Sequence, residues 1–130
     1  MPDLCPCGAS QNYESCCGLY ISGALEAPTP EALMRSRYSA FAKRKFLYLT
    51  QTQAQEAAKR FDLASTRRDA PFLKWLKLEI LSTEIAAEVG YVKFRAHYSL
   101  KSRVFVLEEH SRFEKIEGRW FYVGVRGGSQ

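Results

Sequence analysis

The chain is expected to be an α+β protein: about three helices followed by a curved sheet of four antiparallel strands, with a small cysteine-bearing segment in front. Three observations predict this. Four cysteines fall within the first seventeen residues and none elsewhere; apolar residues recur at three-to-four spacing after Thr29; and from Trp75 the pattern changes to alternation. Helices first and strands afterwards argue for a sheet curled over the helices. A length of 130 residues suffices for one main core with an appendage and is too short for two full-sized domains. The boundary is placed near residue 28, with a metal-binding segment over 1–27 and the main domain over 28–130.

The cysteine segment comes first. Cys5-Pro6-Cys7 and Cys16-Cys17 are separated by eight residues. Two close pairs joined by a tight loop can bring four thiolates around one divalent ion, and a tetrahedral sulfur set is what zinc takes in structural sites. Gly8 and Gly18 suit such a knuckle, because glycine reaches positive φ without steric cost. Two disulfides are the competing use. Cysteines that are adjacent or one residue apart are hard to join at unstrained geometry, although cross-pairing between the two groups stays open. Met1-Pro2-Asp3-Leu4 has neither the basic start nor the apolar run of a secretory signal, so a cytoplasmic setting that keeps thiols reduced is expected. Zinc is the expected cofactor, with iron the other metal that takes sulfur ligands. Four thiolates complete the tetrahedron and leave no position for water, so the metal is expected to be structural and not hydrolytic.

Leu19 to Pro30 contains Gly23, Pro28 and Pro30 and reads as a connector. Thr29-Pro30-Glu31 then opens a helix: a hydroxyl cap, proline at the first position, and an acid where the helix dipole is positive. It should run to about Lys43, with Met34, Tyr38, Phe41 and Ala42 facing inward and Arg35, Ser39 and Lys43 grouped elsewhere. Short helices are expected over Phe46 to about Gln51 and near Glu56 to Phe61. From Trp75, Leu76, Leu78 and Ile80 should share one face of a strand, opposite Lys77 and Glu79. A second strand after Gly90 alternates Val92, Phe94, Ala96 and Tyr98 with Lys93, Arg95, His97 and Ser99. The third should span about Arg103 to Lys115, and Glu117-Gly118 marks a hairpin into a fourth, Arg119 to Val125.

Cys5-Pro6-Cys7-Gly8-Ala9-Ser10-Gln11-Asn12-Tyr13-Glu14-Ser15-Cys16-Cys17-Gly18 resembles the SEC-C motif, the zinc-binding tail of the preprotein translocase SecA, usually written CPCGSGKKYKKCCG. The resemblance implies zinc held by Cys5, Cys7, Cys16 and Cys17, in a module that often docks other proteins or the ribosome. The chain departs from it at Ala9-Ser10-Gln11-Asn12 and Glu14-Ser15, where the family usually carries Ser-Gly and lysines. That departure weakens charge-driven docking and leaves the ligands in place. The helix and strand order resembles the nuclear transport factor 2-like cone. Pro30 to Ala42, with Glu109-His110-Ser111-Arg112-Phe113 and Gly118-Arg119-Trp120-Phe121-Tyr122-Val123, is similar to the YchJ-like bacterial family. The resemblance implies a SEC-C knuckle fused to a nuclear transport factor 2-like domain, in a family whose biochemical role is not established. Some relatives carry a second cysteine motif at the C-terminus. Here the sequence reads Gly127-Gly128-Ser129-Gln130, so one metal site is expected.

Cones of this kind often enclose an apolar pocket in which polar side chains bind or do acid–base work. The candidates are Arg35 on the first long helix, Arg95 and His97 on the second strand, and Glu109 with Ser111 on the third; a His97–Glu109 pair across adjacent strands would supply a base and its orienting partner. The competing reading places Arg95 and His97 in water, opposite the apolar face. Arg35 or Arg37 would tie helix to sheet through Glu108 or Glu109, or, for Arg35, clamp an anion. Lys43-Arg44-Lys45, Lys59-Arg60 and Arg67-Arg68 are basic clusters that, with Tyr48 or Trp75 stacking on bases, would suit nucleic acid or the ribosome. The net charge of +5 is modest, the 46% apolar and 25% charged fractions are ordinary, and no apolar run is long enough to span a bilayer. The resulting expectation is a zinc-binding cytoplasmic interaction protein, monomer or homodimer, with an unidentified protein partner. Catalysis is not required; a small-ligand or enzymatic pocket is the alternative.

Overall fold

The hydroxyl of Thr29 accepts a hydrogen bond from the Ala32 N–H at 3.0 Å, and Pro30 occupies the first helical position. This cap starts the longest helix of the protein where the sequence predicts it. The computed structural model describes residues 3–126; Met1 and Pro2 of the signal reading, and the segment Gly127 to Gln130, lie outside the described residues. The elements are α1 (Cys17–Ile21), α2 (Pro30–Ala42), α3 (Phe46–Gln51), α4 (Gln55–Arg60), α5 (Leu63–Asp69), β1 (Leu73–Ala86), β2 (Val89–Leu100), β3 (Arg103–Ile116) and β4 (Arg119–Val125). The four strands pair antiparallel in the order β1-β2-β3-β4.

Five α-helices are described where about three were expected. α1 begins at the last cysteine of the knuckle and runs into the expected connector at Leu19, and five residues are too few to carry a periodicity. α5 carried a legible cap: the Asp62 carboxylate accepts from the Ser65 N–H at 3.1 Å. α2 stops with a two-bond C-terminal cap in which Lys45 N–H donates to Ala40 C=O at 2.8 Å and Arg44 N–H to Phe41 C=O at 3.3 Å.

The inward face of α2 is wider than one stripe. Leu33, Ser36, Arg37, Tyr38, Ser39 and Ala40 are all buried. Its two sides explain this. Leu33 and Ala40 join Tyr48, Leu49, Val92, Phe113 and Trp120 in one core cluster, while Tyr38 packs with Cys5, Cys7, Cys17, Leu78, Phe94 and Ala96 in the other. The cysteine segment thus packs on α2 and the sheet. Ser39, expected away from the inward stripe, is covered by it.

β1 departs from simple alternation. The β1–β2 register slips between Trp75 and Lys77, and again between Ile80 and Ser82. The first slip turns Trp75 inward, against Tyr38, Phe41 and Tyr98. Leu76, expected on the core face, is 48% exposed, because the bulge shifts the strand by one residue and exchanges its faces. β2 and β3 pair without a slip, so Phe94 lies opposite Glu109, Val92 opposite Ser111 and His97 opposite Val106.

Candidate metal centre and cone cavity

Cys7 is fully buried and Cys5 and Cys17 nearly so, while Cys16 is half-buried. The four Sγ atoms lie within 4.8 Å of one another. Cys7 Sγ and Cys16 Sγ stand 3.7 Å apart. A tetrahedron with zinc–sulfur bonds of about 2.3 Å has edges of roughly 3.8 Å, so the donor set fits one zinc-sized ion with little movement. Local backbone structure produces this convergence. Gly8 has φ +84, a left-handed conformation that turns the chain after Cys7. Gly18 does not, contrary to expectation. It lies inside α1, and a Cβ there would come within 2.7 Å of the Tyr13 carbonyl oxygen; close approach, not a turn, requires glycine.

The electrostatics of the thiols call for a cation. Cys7 is lowered to about 5, first by the hydrogen bond from the Cys17 thiol. Cys16 is raised to about 12 by burial and then by Cys7. Cys17 is pushed up as well, first because its proton bonds to Cys7. The four thiols titrate as one interacting group, in which a negative charge on one suppresses ionisation of its neighbours. A divalent ion is what would let all four become thiolates. Two residues of α2 brace the knuckle: Ser39 Oγ lies 3.4 Å from Cys5 Sγ, and Arg35 Nη1 donates to the Cys7 carbonyl at 2.6 Å while its Nε donates to Glu31 at 3.0 Å.

Arg35 is therefore engaged with the knuckle and does not line the cone cavity, and no anion clamp forms there. Arg95 and His97 do not line it either. They project from the outer face of β2, where Arg95 Nε donates to Glu108 at 2.8 Å and His97 Nε2 lies 2.7 Å from Glu79 Oε1. The proposed His97–Glu109 pair is separated by the sheet, because Glu109 lies opposite inward-facing Phe94. Of the candidate pocket residues, Glu109 and Ser111 line the cavity.

That cavity has a volume of about 690 Å³, with apolar walls from Met34, Phe41, Trp75, Phe94, Leu107 and Val123. Its polar end is built around Glu109, whose Oε2 accepts from Ser111 Oγ at 2.6 Å and from the Tyr122 hydroxyl at 2.8 Å. Arg37, 5% exposed, donates to Leu49 C=O at 2.9 Å, Thr52 Oγ1 at 2.8 Å and Gln53 Oε1 at 3.2 Å. Its guanidinium carbon sits 4.8 Å from the centre of the Tyr122 ring. Burial lowers Arg37 to about 10, which leaves it charged at neutral pH. The Thr52–Ala54 link is itself docked on β4 by Tyr122 N–H to Thr52 C=O at 2.9 Å and Ala54 N–H to Tyr122 C=O at 3.0 Å. Arg37 thus ties helix to sheet, through this link and not through a direct ion pair with Glu109. Tyr122 and Gln53 were not singled out from the sequence. The available signal was Glu109 and Ser111, two polar residues alternating with Phe113 on a core-facing strand, which require buried partners.

Tyr48 is buried with its hydroxyl 2.7 Å from Ser36 Oγ, and Trp75 packs among Tyr38, Phe41 and Tyr98. Neither ring presents a stacking platform for bases. Among the basic clusters, Lys43 lies over the Tyr13 ring at 4.4 Å and Lys59 pairs with Glu56 at 3.4 Å.

Fold and site together define a nuclear transport factor 2-like cone carrying a four-cysteine knuckle of SEC-C type. The family described as "YchJ, middle NTF2-like domain" matches residues 29–125, and the SEC-C motif matches residues 1–19. The chain belongs to the YchJ-like family. It is 44% identical over 128 residues to a UPF0225 protein of Streptomyces avermitilis, covering 94% of this chain and 83% of the relative. The solution structure of a SEC-C motif containing protein from Rhodopseudomonas palustris superposes with a TM-score of 0.85 at 33% identity, over 93% of this chain and 95% of the other. A crystal structure of a SEC-C motif containing protein from Psychrobacter arcticus gives 0.82 at 25% identity, over 93% and 80%. Among the described residues no helix is long and apolar enough to cross a membrane.

Proposed function

We propose that the chain is a zinc-binding interaction protein of the cytoplasm, in which zinc closes the cysteine knuckle onto the cone and the cone presents its surface to a protein partner. The observation that carries the metal reading is the mutual approach of the four Sγ atoms within 4.8 Å, in a segment packed against α2 and the sheet. Cys5, Cys7, Cys16 and Cys17 would hold the ion, which supplies charge compensation and cross-linking; with four thiolates around it, it offers no site for a substrate. Cobalt substitution tests this. A tetrahedral all-sulfur site gives intense thiolate-to-cobalt charge-transfer absorption together with visible bands of tetrahedral cobalt, and zinc displaces both. An octahedral cobalt spectrum, or no uptake by the reduced protein, would sink the reading.

A second reading is favoured by the 690 Å³ cavity with Glu109, Ser111 and Tyr122 at its polar end: the cone binds a small, largely apolar ligand with one polar head. A library of apolar ring compounds bearing a hydroxyl or amine should contain members that raise the melting temperature, and Glu109→Gln should cut that rise. Shifts unchanged by Glu109→Gln would remove this site from consideration.

A further inference from the structure

The unpaired edge of β3 is a feature that the knuckle does not use and that the cavity touches only through Leu107 and Glu109. β4 pairs with β3 only from Ser111 to Ile116, and Arg126 N–H takes the His110 carbonyl at 2.8 Å. Among the described residues, Arg103 to Glu109 therefore faces no strand on that side. This stretch carries an apolar run whose exposure is high on both faces of the sheet: Val104 66%, Phe105 40%, Val106 52% and Leu107 42%. An exposed apolar strand edge is a template for another strand, and proteins usually blunt it with charge, proline or a bulge. Here Val104 to Leu107 contains none of these, and β2 and β3 pair without a slip.

We propose that this edge pairs with the same edge of a second copy, β3 against β3 in antiparallel fashion, with Val106 on the two-fold axis. Backbone parity fixes the hydrogen-bonding groups. Lys115 N–H points toward β2, to Glu88 C=O at 2.8 Å, and His110 C=O points away, to Arg126. Alternation along an unbulged strand then directs the N–H and C=O of Val104, Val106 and Glu108 outward. A two-fold axis perpendicular to a sheet places one residue opposite its own copy, because facing residues must share a face. The free segment, Arg103 to Glu109, has Val106 at its midpoint, so that register uses its whole length. It sets Phe105 against Leu107 of the second copy, and Arg103 against Glu109 of the second copy. Arg103 forms no ion pair among the described residues. Leu107 also lines the cavity, so the second copy's Phe105 would extend that wall. The assignment goes beyond the interaction reading by naming surface and occupant, and it is separable from the metal: zinc content reports on the knuckle, self-association on the edge.

Sedimentation of the zinc-loaded chain across micromolar to millimolar concentration tests it. Seven residues a side is short for a stable interface, typically about 20–30 a side, so the dimer is weak and concentration-dependent. Val106→Pro removes an outward N–H at an edge position where proline is tolerated, and should weaken association about tenfold or more while leaving the melting temperature nearly unchanged. Val106→Cys, oxidised mildly, should cross-link to its copy far faster than Val104→Cys, whose opposite residue is Glu108. A chain monomeric at all concentrations, including one whose edge is capped by its own last four residues or reserved for a different protein, overturns the proposal. So does a dimer insensitive to Val106→Pro, or equal cross-linking at the two positions.

Discussion

Replacing Arg37 by alanine should cost the protein about 3–5 kcal/mol, because three acceptors lose their donor and each buried polar group left unpaired costs about 1–3 kcal/mol. The guanidinium makes three hydrogen bonds, to Leu49 C=O, Thr52 Oγ1 and Gln53 Oε1, and covers the Tyr122 ring. Hydrogen bonds to a charged donor contribute about 1.5–3 kcal/mol each, and three would sum higher. Two effects pull the total down. Removing the arginine relieves the desolvation that lowers it to about 10, and the adjoining cavity lets water reach the abandoned oxygens. Arg37→Lys should lose about half as much, since one ammonium cannot span three acceptors in a fork. Urea unfolding with a free slope reads both, and a common slope identifies a stability change. Zinc content should not change, because Arg37 touches no cysteine. A loss below about 1 kcal/mol for Arg37→Ala would refute the reasoning that this residue binds α2 to β4 through the 52–54 link.

Gly18→Ala should strain the knuckle, as its Cβ would lie 2.7 Å from a Tyr13 backbone oxygen; zinc affinity by chelator competition should fall, and unchanged affinity would show that α1 can shift freely. His97→Ala should alter stability by no more than about 0.5 kcal/mol and leave any cavity ligand's affinity intact, as expected for an outer-face hydrogen bond with Glu79; loss of ligand binding would restore His97 to the site. At high pH the buried tyrosines matter. Burial raises Tyr48, and burial followed by the Glu109 charge raises Tyr122, above the ordinary 10.0. Both keep protons in the folded chain that the unfolded chain releases, so their contribution is complete below pH 10 and is lost as pH rises through the folded values. Absorbance near 295 nm should show late-titrating tyrosines coinciding with unfolding; a single step near pH 10 with no loss of stability contradicts this.

Local signals made much of the fold readable. Thr29-Pro30-Glu31 specified the start of α2, and Glu117-Gly118, both at positive φ, specified the last hairpin. Four closely spaced cysteines made the knuckle readable as well. The misplacements come from non-local causes. The bulge at Leu76 exchanged the faces of β1, and strand propensity does not encode it. Ser39 is buried because a segment distant in sequence lies over it. His97 and Glu109 were paired by type, whereas a β-sheet separates them by parity: their pairing partners, Val106 and Phe94, point to opposite faces. Arg37 and Tyr122 form one network only after the 52–54 link docks on β4, a contact that no periodicity announces.

The most direct measurement is metal and thiol content of the chain purified without chelator, by elemental analysis and thiol titration after unfolding. One equivalent of zinc with four free thiols is the expected result, accompanied by a large fall in melting temperature on metal removal, because Cys5, Cys7 and Cys17 belong to the same core cluster as Tyr38, Leu78 and Phe94. Metal-free protein with oxidised cysteines, or metal removal that leaves the cone's melting temperature unchanged, would contradict the account.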